Sequence, residues 1–207
     1  MAGKGQLWAG VCSVVAAELL GPIAHAQNQF QPQVTGPSFP CPAPRDPLAQ
    51  LICDTPALAR IDLAFVQTYQ ALRQQLSEPV PQQALRQESV DFGLAVRSTC
   101  GIALAQSANS KAPLPPPAPP GAGSCVMLAY ERLRGSWQSR LTGAAAEEAA
   151  RPIEQQIMLQ SALQRLKFLA QADSADGVFG TATRSAIIAW QGSVGREATG
   201  LLGNSDA

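Results

Sequence analysis

The stretch that decides the fold is residues 54–76, DTPALARIDLAFVQTYQALRQQL. Its large apolar side chains recur at steps of three and four residues, at Leu58, Ile61, Phe65, Tyr69, Leu72 and Leu76. This spacing is that of an α-helix with one buried face. Asp54 and Thr55 are candidate caps, and Pro56 suits the first helical position. The stretch therefore predicts an amphipathic helix of about five turns.

Other segments repeat the helical period. Pro79 and Pro81 end the first pattern, and a second one leads up to Cys100. Further patterns begin near Cys125 and at Pro152, and a last one covers residues 181–191. No segment shows the sustained alternation that is typical of a β-strand. The sequence therefore predicts an all-α fold.

The amino terminus has the pattern of a secretion signal. Lys4 precedes an apolar stretch from Leu7 to Ile23, and the triplet Ala24-His25-Ala26 has the small residues that signal peptidase reads. We expect cleavage after Ala26, which makes the protein periplasmic or secreted. Glu18 and Pro22 interrupt the apolar stretch, so we expect no stable membrane anchor after cleavage.

Four cysteines follow the expected cleavage site, at Cys41, Cys53, Cys100 and Cys125. An even number of cysteines behind a secretion signal indicates two disulfides. Four cysteines allow three connectivities, and the sequence does not select one of them. We expect Cys41 to pair with Cys53 and Cys100 with Cys125, because the second pair would tie the ends of the Pro-rich segment 109–124.

Charge and histidine content argue against several classes of function. The chain has 15 basic and 15 acidic residues, so no net charge attracts it to nucleic acid or to an anionic membrane. Its one histidine, His25, lies in the predicted signal peptide, which leaves no histidine base or metal ligand. Glu147 and Glu148 are adjacent and face apart on a helix, so they are expected to form a solvated face. We expect no enzyme activity, no metal and no cofactor.

Composition divides the chain into five parts. These are a signal peptide at 1–26, a disordered arm at 27–37, a four-cysteine helical domain at 38–142, an Ala- and Glu-rich spacer at 143–151 and a helical domain at 152–207. The Pro-rich insert 109–124 cannot build a core, and we expect it to be a solvated loop.

The carboxy-terminal part carries an ordered set of motif residues. They are Leu159-Gln160, Leu163, Asp176-Gly177-Val178-Phe179-Gly180, Thr183, Ala186-Ile187, Trp190-Gln191 and Thr199-Gly200. In this order and spacing they resemble the small helical peptidoglycan-binding domain of cell-wall proteins. The resemblance implies a three-helix domain whose last helix is cut short at residues 204–207, with peptidoglycan as its partner.

Most of the motif is expected to be scaffold. Gly177 tolerates the positive φ of a tight turn, and Phe179 can anchor that turn in the core. Gly180 lets the backbone enter the next helix. Trp190 is expected to be a core residue and not a platform for a sugar ring.

The expected ligand-binding residues are Asp176, Thr183 and Gln191. They are polar, and we place them on the rim of a groove beside the turn, where they would offer hydrogen bonds to glycan or stem peptide. We further expect residues 152–207 to bind the wall without the rest of the chain.

The four-cysteine part resembles the amino-terminal domain of the LprI-type lysozyme inhibitor family. The residues that carry this resemblance are Cys41, Ile52-Cys53, Leu58, Asp62, Tyr69, Arg97, Cys100, Cys125, Tyr130 and an arginine at Arg132 or Arg134. It implies a disulfide-stapled helical domain that meets a lysozyme or another envelope protein. Asp62 is expected to pair with an arginine such as Arg97 or Arg132, while Tyr69 packs inward.

Three functions are compatible with these features. The preferred one is an exported, non-catalytic peptidoglycan-binding envelope protein with an LprI-like interaction domain. The alternatives are a lysozyme inhibitor held on the wall, and a fragment of a larger wall hydrolase that lacks its catalytic module. Residues 27–142 contain nine basic and seven acidic side chains, which would not attract a basic lysozyme.

Overall fold

Seven helices build the part of the chain that the structure describes. The computed structural model describes residues 36–41 and 45–207. The helices are α1 (Pro47–Asp54), α2 (Pro56–Gln75), α3 (Pro79–Thr99), α4 (Ala122–Gln138), α5 (Gly143–Ala150), α6 (Ile153–Arg165) and α7 (Thr181–Ser193). No strand occurs among these residues, so the predicted all-α class is confirmed.

Some expectations fall on other residues. The predicted signal peptide at 1–26 and the disordered arm up to residue 35 lie outside the described residues. Within the described ranges, no helix is both long and apolar enough to cross a membrane.

The first three helices each begin at a proline. Proline is tolerated there because the first turn of a helix leaves its N–H groups without intrahelical partners. Asp46 caps α1, since its carboxylate accepts hydrogen bonds from the backbone N–H groups of Leu48 and Ala49 at 3.0 and 3.1 Å. Helix α1 was not expected from the sequence. It has 8 residues, too few for a clear apolar period.

Two disulfides fasten the four-cysteine part. Cys41 pairs with Cys53, and this bond fixes the segment 36–41 to α1. Cys100 pairs with Cys125, which joins the end of α3 to α4 across the Pro-rich insert. Both are the connectivities expected from the sequence.

Helix α2 lies at the centre of the fold and packs against α1, α4 and α5. Its Phe65 belongs to an aromatic cluster, with ring centroids 4.8 Å from Tyr130 and 4.6 Å from Trp137. Tyr69 packs inward as expected, 5.6 Å from the Trp137 ring. The apolar stripe of residues 54–76 therefore forms the main core of the four-cysteine part.

The carboxy-terminal part contains α6, α7 and a turn at residues 204–206. Its core consists of Leu163, Leu169, Phe179, Ala186, Ile187 and Leu202. A third apolar cluster joins Leu63 of α2 to Ile153 and Ile157 of α6. The described residues of the two parts accordingly belong to one compact unit.

Candidate functional site

The turn at residues 176–180 connects α6 to α7 and requires a glycine. Gly177 has a φ of 86°, a region that side chains with a Cβ rarely adopt. A Cβ at this position would lie 2.6 Å from the Cγ2 atom of Ile153 and 3.2 Å from its carbonyl oxygen. The turn is thus pressed against α6, and only glycine allows this approach.

Gln160 of α6 holds the turn from inside. Its side chain is fully buried, and its Oε1 atom accepts a hydrogen bond from the backbone N–H of Gly177 at 2.7 Å. Its Nε2 atom donates to the carbonyl of Val178 at 3.1 Å and to Oγ1 of Thr183 at 3.2 Å. One amide therefore satisfies polar groups on the turn and on α7. Gln160 is part of the sequence motif, but its spacing does not indicate this role.

Phe179 anchors the turn in the core and is fully buried. Its backbone N–H donates to Oε1 of Gln67 at 2.9 Å, so the turn is bound to α2 as well as to α6. The guanidinium of Arg184 lies 5.6 Å from the centre of the Phe179 ring, within the range of a cation–π contact.

Glu148 of α5 is the centre of a buried polar network. Its carboxylate accepts two hydrogen bonds from Arg184, at 2.5 and 2.7 Å. It also accepts from Nε2 of Gln67 at 2.9 Å and from the backbone N–H of Leu202 at 3.1 Å. The expected solvated face is therefore wrong for Glu148, which is 0% exposed, although it holds for Glu147. Glu148 is buried because α5 packs against α2.

Of the three expected ligand-binding residues, only Asp176 is exposed. Thr183 and Gln191 are 4% and 3% exposed, and both are bonded inside the protein. Gln191 donates to the carbonyl of Leu201 at 2.9 Å and accepts from the N–H of Gly200 at 2.9 Å. Their expected place on an open rim is wrong, because the turn and the chain end fold over them.

Gly180 and Trp190 are the remaining residues that were expected to support the domain. Gly180 has a φ of −74° and open space where a Cβ would stand, so the backbone at this position does not require glycine. Trp190 is half-buried and packs against the core of α6 and α7. Arg196 lies 5.7 Å above its ring.

Asp176 lies at the edge of a groove of about 550 Å³. One wall is the segment 36–41, the opposite wall is the loop of Ser174, Ala175 and Asp176, and the buried residues Leu63 and Ile157 also line the groove. The volume falls within the range of about 300–1,000 Å³ that is usual for ligand sites. The groove thus combines residues of the four-cysteine part with residues of the carboxy-terminal part.

Asp62 fixes the first wall of this groove. Its Oδ2 atom accepts hydrogen bonds from the backbone N–H and the hydroxyl of Ser38, at 2.8 and 2.7 Å. Burial raises the pKa of Asp62, and the hydrogen bonds from Ser38 and Tyr130 oppose this rise. Burial and the neighbouring Asp62 carboxylate raise the pKa of Tyr130 as well.

The expected pairing of Asp62 with Arg97 or Arg132 is wrong. Arg97 instead bonds both carboxylate oxygens of Asp46 at 2.7 Å. The reason is the cap of α1: Asp46 sits at the start of that helix, where its carboxylate meets Arg97 in the last turn of α3. Asp62 turns towards Ser38, a residue that helical spacing could not identify as its neighbour.

The described residues contain no group of three or more side chains that could hold a metal ion. The searches of curated proteins and of solved structures found no match to the chain. Residues 38–142 thus gain no support from the comparisons for their resemblance to a lysozyme inhibitor. A family model described as a putative peptidoglycan binding domain matches residues 154–205, which cover all but the first residue of α6, the Asp-Gly turn and α7. This segment is therefore similar to the peptidoglycan-binding domains of that family.

Proposed function

We propose that the chain is an exported, non-catalytic envelope protein that binds peptidoglycan at the groove beside Asp176. One observation carries the proposal. The family match coincides with a turn that only glycine can form, and this turn presents Asp176 to solvent at the edge of a groove of suitable size. A wall-binding role follows from the domain, and its position at this groove is our inference.

The other two candidate residues act differently in this proposal. Thr183 accepts a hydrogen bond from Gln160, and Gln191 holds the loop at Gly200. Both support the shape of the domain, and Asp176 is the one of the three that contacts ligand. Substitution of Thr183 or Gln191 is expected to reduce stability first, and wall binding as a result.

Export is supported by two independent features. The amino-terminal pattern is that of a secretion signal, and both disulfides need an oxidising compartment to form and persist. A wall-binding domain has its ligand in the same compartment. We therefore place the protein in the periplasm or outside the cell.

The environment of Glu147 and Glu148, the adjacent carboxylates, supports a function without catalysis. A glycosidase needs two carboxyl groups that flank a bond and can exchange protons with it. Glu148 is enclosed and bonded to Arg184, so it does not reach a substrate. In this proposal, Glu147 and Glu148 serve the fold.

The four-cysteine part serves as an interaction region in the proposal. This part contains a second cavity of about 460 Å³. Three residues that carry the resemblance to the LprI-type inhibitors line it, namely Asp62, Arg97 and Tyr130, and so do Phe65 and Phe92. Direct inhibition of a basic lysozyme is not expected, because residues 27–142 carry a small excess of positive charge. An assay with a soluble oligosaccharide substrate checks this, and stoichiometric inhibition would contradict it.

Co-sedimentation with purified sacculi tests the proposed function. The folded chain is expected to pellet with sacculi and to stay in solution with cellulose, an insoluble polysaccharide that has no peptide. Circular dichroism of the same sample establishes that the chain is folded. A folded chain that remains in the supernatant with sacculi contradicts the proposal.

A further inference from the structure

The groove beside Asp176 has a one-sided charge. Among the described residues that line it, Asp176 is the one charged side chain, and no lysine or arginine is present. Its Oδ1 atom accepts from the backbone N–H of Val178 at 2.9 Å, which fixes the direction of the carboxylate. Its Oδ2 atom has no hydrogen-bond partner among residues 36–41 and 45–207. A free carboxylate oxygen of this kind favours a cationic group and repels a carboxylate or phosphate.

Part of the remaining groove suits an aliphatic chain. Phe39 and Pro40 of the segment 36–41 are partly or fully exposed and provide apolar surface, whereas Leu63 of α2 and Ile157 of α6 are buried beneath it. A side chain with a methylene stem and a terminal ammonium group can place its stem on apolar surface while its charge stays near water. The groove can therefore hold a side chain with an aliphatic stem and a terminal ammonium group.

Peptidoglycan contains such a group. Where the diamino acid of its stem peptides is lysine, the second amine ends a methylene stem and is free and protonated wherever the stem is not cross-linked. We propose that the groove binds this diamino acid, with the ammonium group at Oδ2 of Asp176 and the methylene stem against Phe39 and Pro40. The inference rests on the proposed wall-binding function and specifies the chemical group that the same site recognises.

The four-cysteine part takes a direct role in this site. Segment 36–41 is fixed at two points, by the hydrogen bonds from Ser38 to Asp62 and by the disulfide from Cys41 to Cys53. It forms the wall that faces Asp176. The family match begins at residue 154, so this wall is outside the matched domain. The chain thereby adds a specificity element of its own to the wall-binding domain.

The test compares untreated sacculi with sacculi whose free amines have been acetylated, which removes their charge. The proteins are the full chain, Asp176→Asn, and Glu197→Gln as a control with the same charge change at an exposed position outside the groove. Asparagine keeps the acceptor for Val178, so the turn is expected to survive in Asp176→Asn. Binding isotherms give the apparent affinity of each protein for each preparation of sacculi.

The full chain and Glu197→Gln are expected to bind acetylated sacculi about fivefold more weakly, the upper range of an exposed ion pair. Asp176→Asn is expected to bind both preparations with the same, lower affinity. Equal binding of the full chain to both preparations would overturn the inference and leave the proposed function intact, as would an effect of acetylation that persists in Asp176→Asn. No binding of the folded full chain to untreated sacculi would overturn both.

Discussion

Glu148 connects three parts of the molecule through one carboxylate. It accepts hydrogen bonds from Gln67 on α2, from Arg184 on α7 and from the backbone of Leu202 near the chain end. Two of its hydrogen bonds form a forked contact with the Arg184 guanidinium. A buried ion pair of this kind adds little when replaced as a whole, but removal of one partner leaves the other charge without compensation.

Replacement of Glu148 by Gln is therefore expected to destabilise the chain by about 3–5 kcal/mol, because Arg184 then remains buried without a counter-ion. Denaturant unfolding, followed by circular dichroism, measures the change in the free energy of unfolding. The control is Glu147→Gln on the same helix, where the side chain is exposed and the change is expected to be below about 1 kcal/mol. Equal effects of the two substitutions would contradict the role of the network.

Asp62 gives the stability of the chain a specific pH dependence. Burial raises the folded-state pKa of its carboxyl above the ordinary value of 3.8, so the folded state takes up this proton at a higher pH than the unfolded state. Protonation of Asp62 therefore favours the folded state. The stability contributed by Asp62 rises as the pH falls from its folded-state pKa towards 3.8.

The replacement Asp62→Asn removes this titration. The difference in unfolding free energy between the original chain and the variant is expected to be constant above the folded-state pKa of Asp62. Below that pKa it is expected to shift in favour of the original chain. Urea unfolding of both proteins at a series of pH values measures it. A difference that does not change with pH, or that changes in the opposite direction, would contradict a raised folded-state pKa of Asp62.

Polar residues show the limit of prediction from sequence at this scale. Glu148, Thr183 and Gln191 are polar in a sequence whose apolar period places the core elsewhere, so each was expected on a surface. Each is buried because a distant segment supplies its partner: Arg184 for Glu148, Gln160 for Thr183 and the loop at Gly200 for Gln191. Sequence spacing contains no information on such distant partners.

The Asp-Gly turn is the element on which the proposed binding site depends. It is fixed by the side chain of Gln160, by the Phe179 anchor and by the close contact of Gly177 with Ile153. Two glycines occur in it, and their environments differ. Gly177 has a positive φ and no space for a Cβ, whereas Gly180 has a negative φ and open space.

The variant Gly177→Ala is expected to lose about 2–4 kcal/mol of stability and most of its wall binding, because the new methyl group meets Ile153 in a strained backbone conformation. Gly180→Ala is its control within the same turn and is expected to stay within about 0.5 kcal/mol of the original chain. Thermal unfolding and co-sedimentation with sacculi report the two effects. If Gly180→Ala were as unstable as Gly177→Ala, the specific requirement for glycine at position 177 would be contradicted.

The long helices could be predicted from the sequence because each has several turns of apolar period. Helices α2, α4, α6 and α7 all begin within a few residues of the expected positions. Helix α3 begins at Pro79, earlier than its apolar pattern, since both prolines fit into its first turn. Helix α1 is too short for a period, although Asp46-Pro47 is the same kind of start signal that identified α2.

The two predicted domains are joined by buried contacts. Phe179 and Arg184 of the carboxy-terminal part have partners at Gln67 and Glu148, which both lie before residue 152. Leu63 of α2 completes an apolar cluster with α6. We therefore propose that residues 152–207 need the preceding helices for full stability, in contrast to the independent domain that the motif pattern indicates.

Truncation tests this dependence. Residues 152–207 alone are expected to be largely unfolded at room temperature, because Arg184 would be buried without Glu148. Residues 143–207 restore Glu148 and are expected to regain part of the helical signal. Circular dichroism and the dispersion of amide NMR signals measure folding in both. An isolated segment 152–207 with the unfolding midpoint of the full chain would disprove the dependence.

The groove could not be predicted from the sequence. Its walls are residues 36–41 and 174–176, which are far apart in the chain and come together only through α2 and α6. The sequence motif predicted Asp176 as a ligand contact but could not indicate the opposite wall. The position of that wall depends on Asp62 and Ser38, a contact that follows from tertiary packing alone.

Hydrogen exchange with and without soluble peptidoglycan fragments tests the central claim most directly, because it locates the ligand on the full chain. The account predicts slower amide exchange in two segments, residues 174–178 and residues 36–41, with little change in α3. Slower exchange only in α3 or in the Pro-rich insert, or no change under conditions where the fragments bind, would contradict a wall-binding groove beside Asp176.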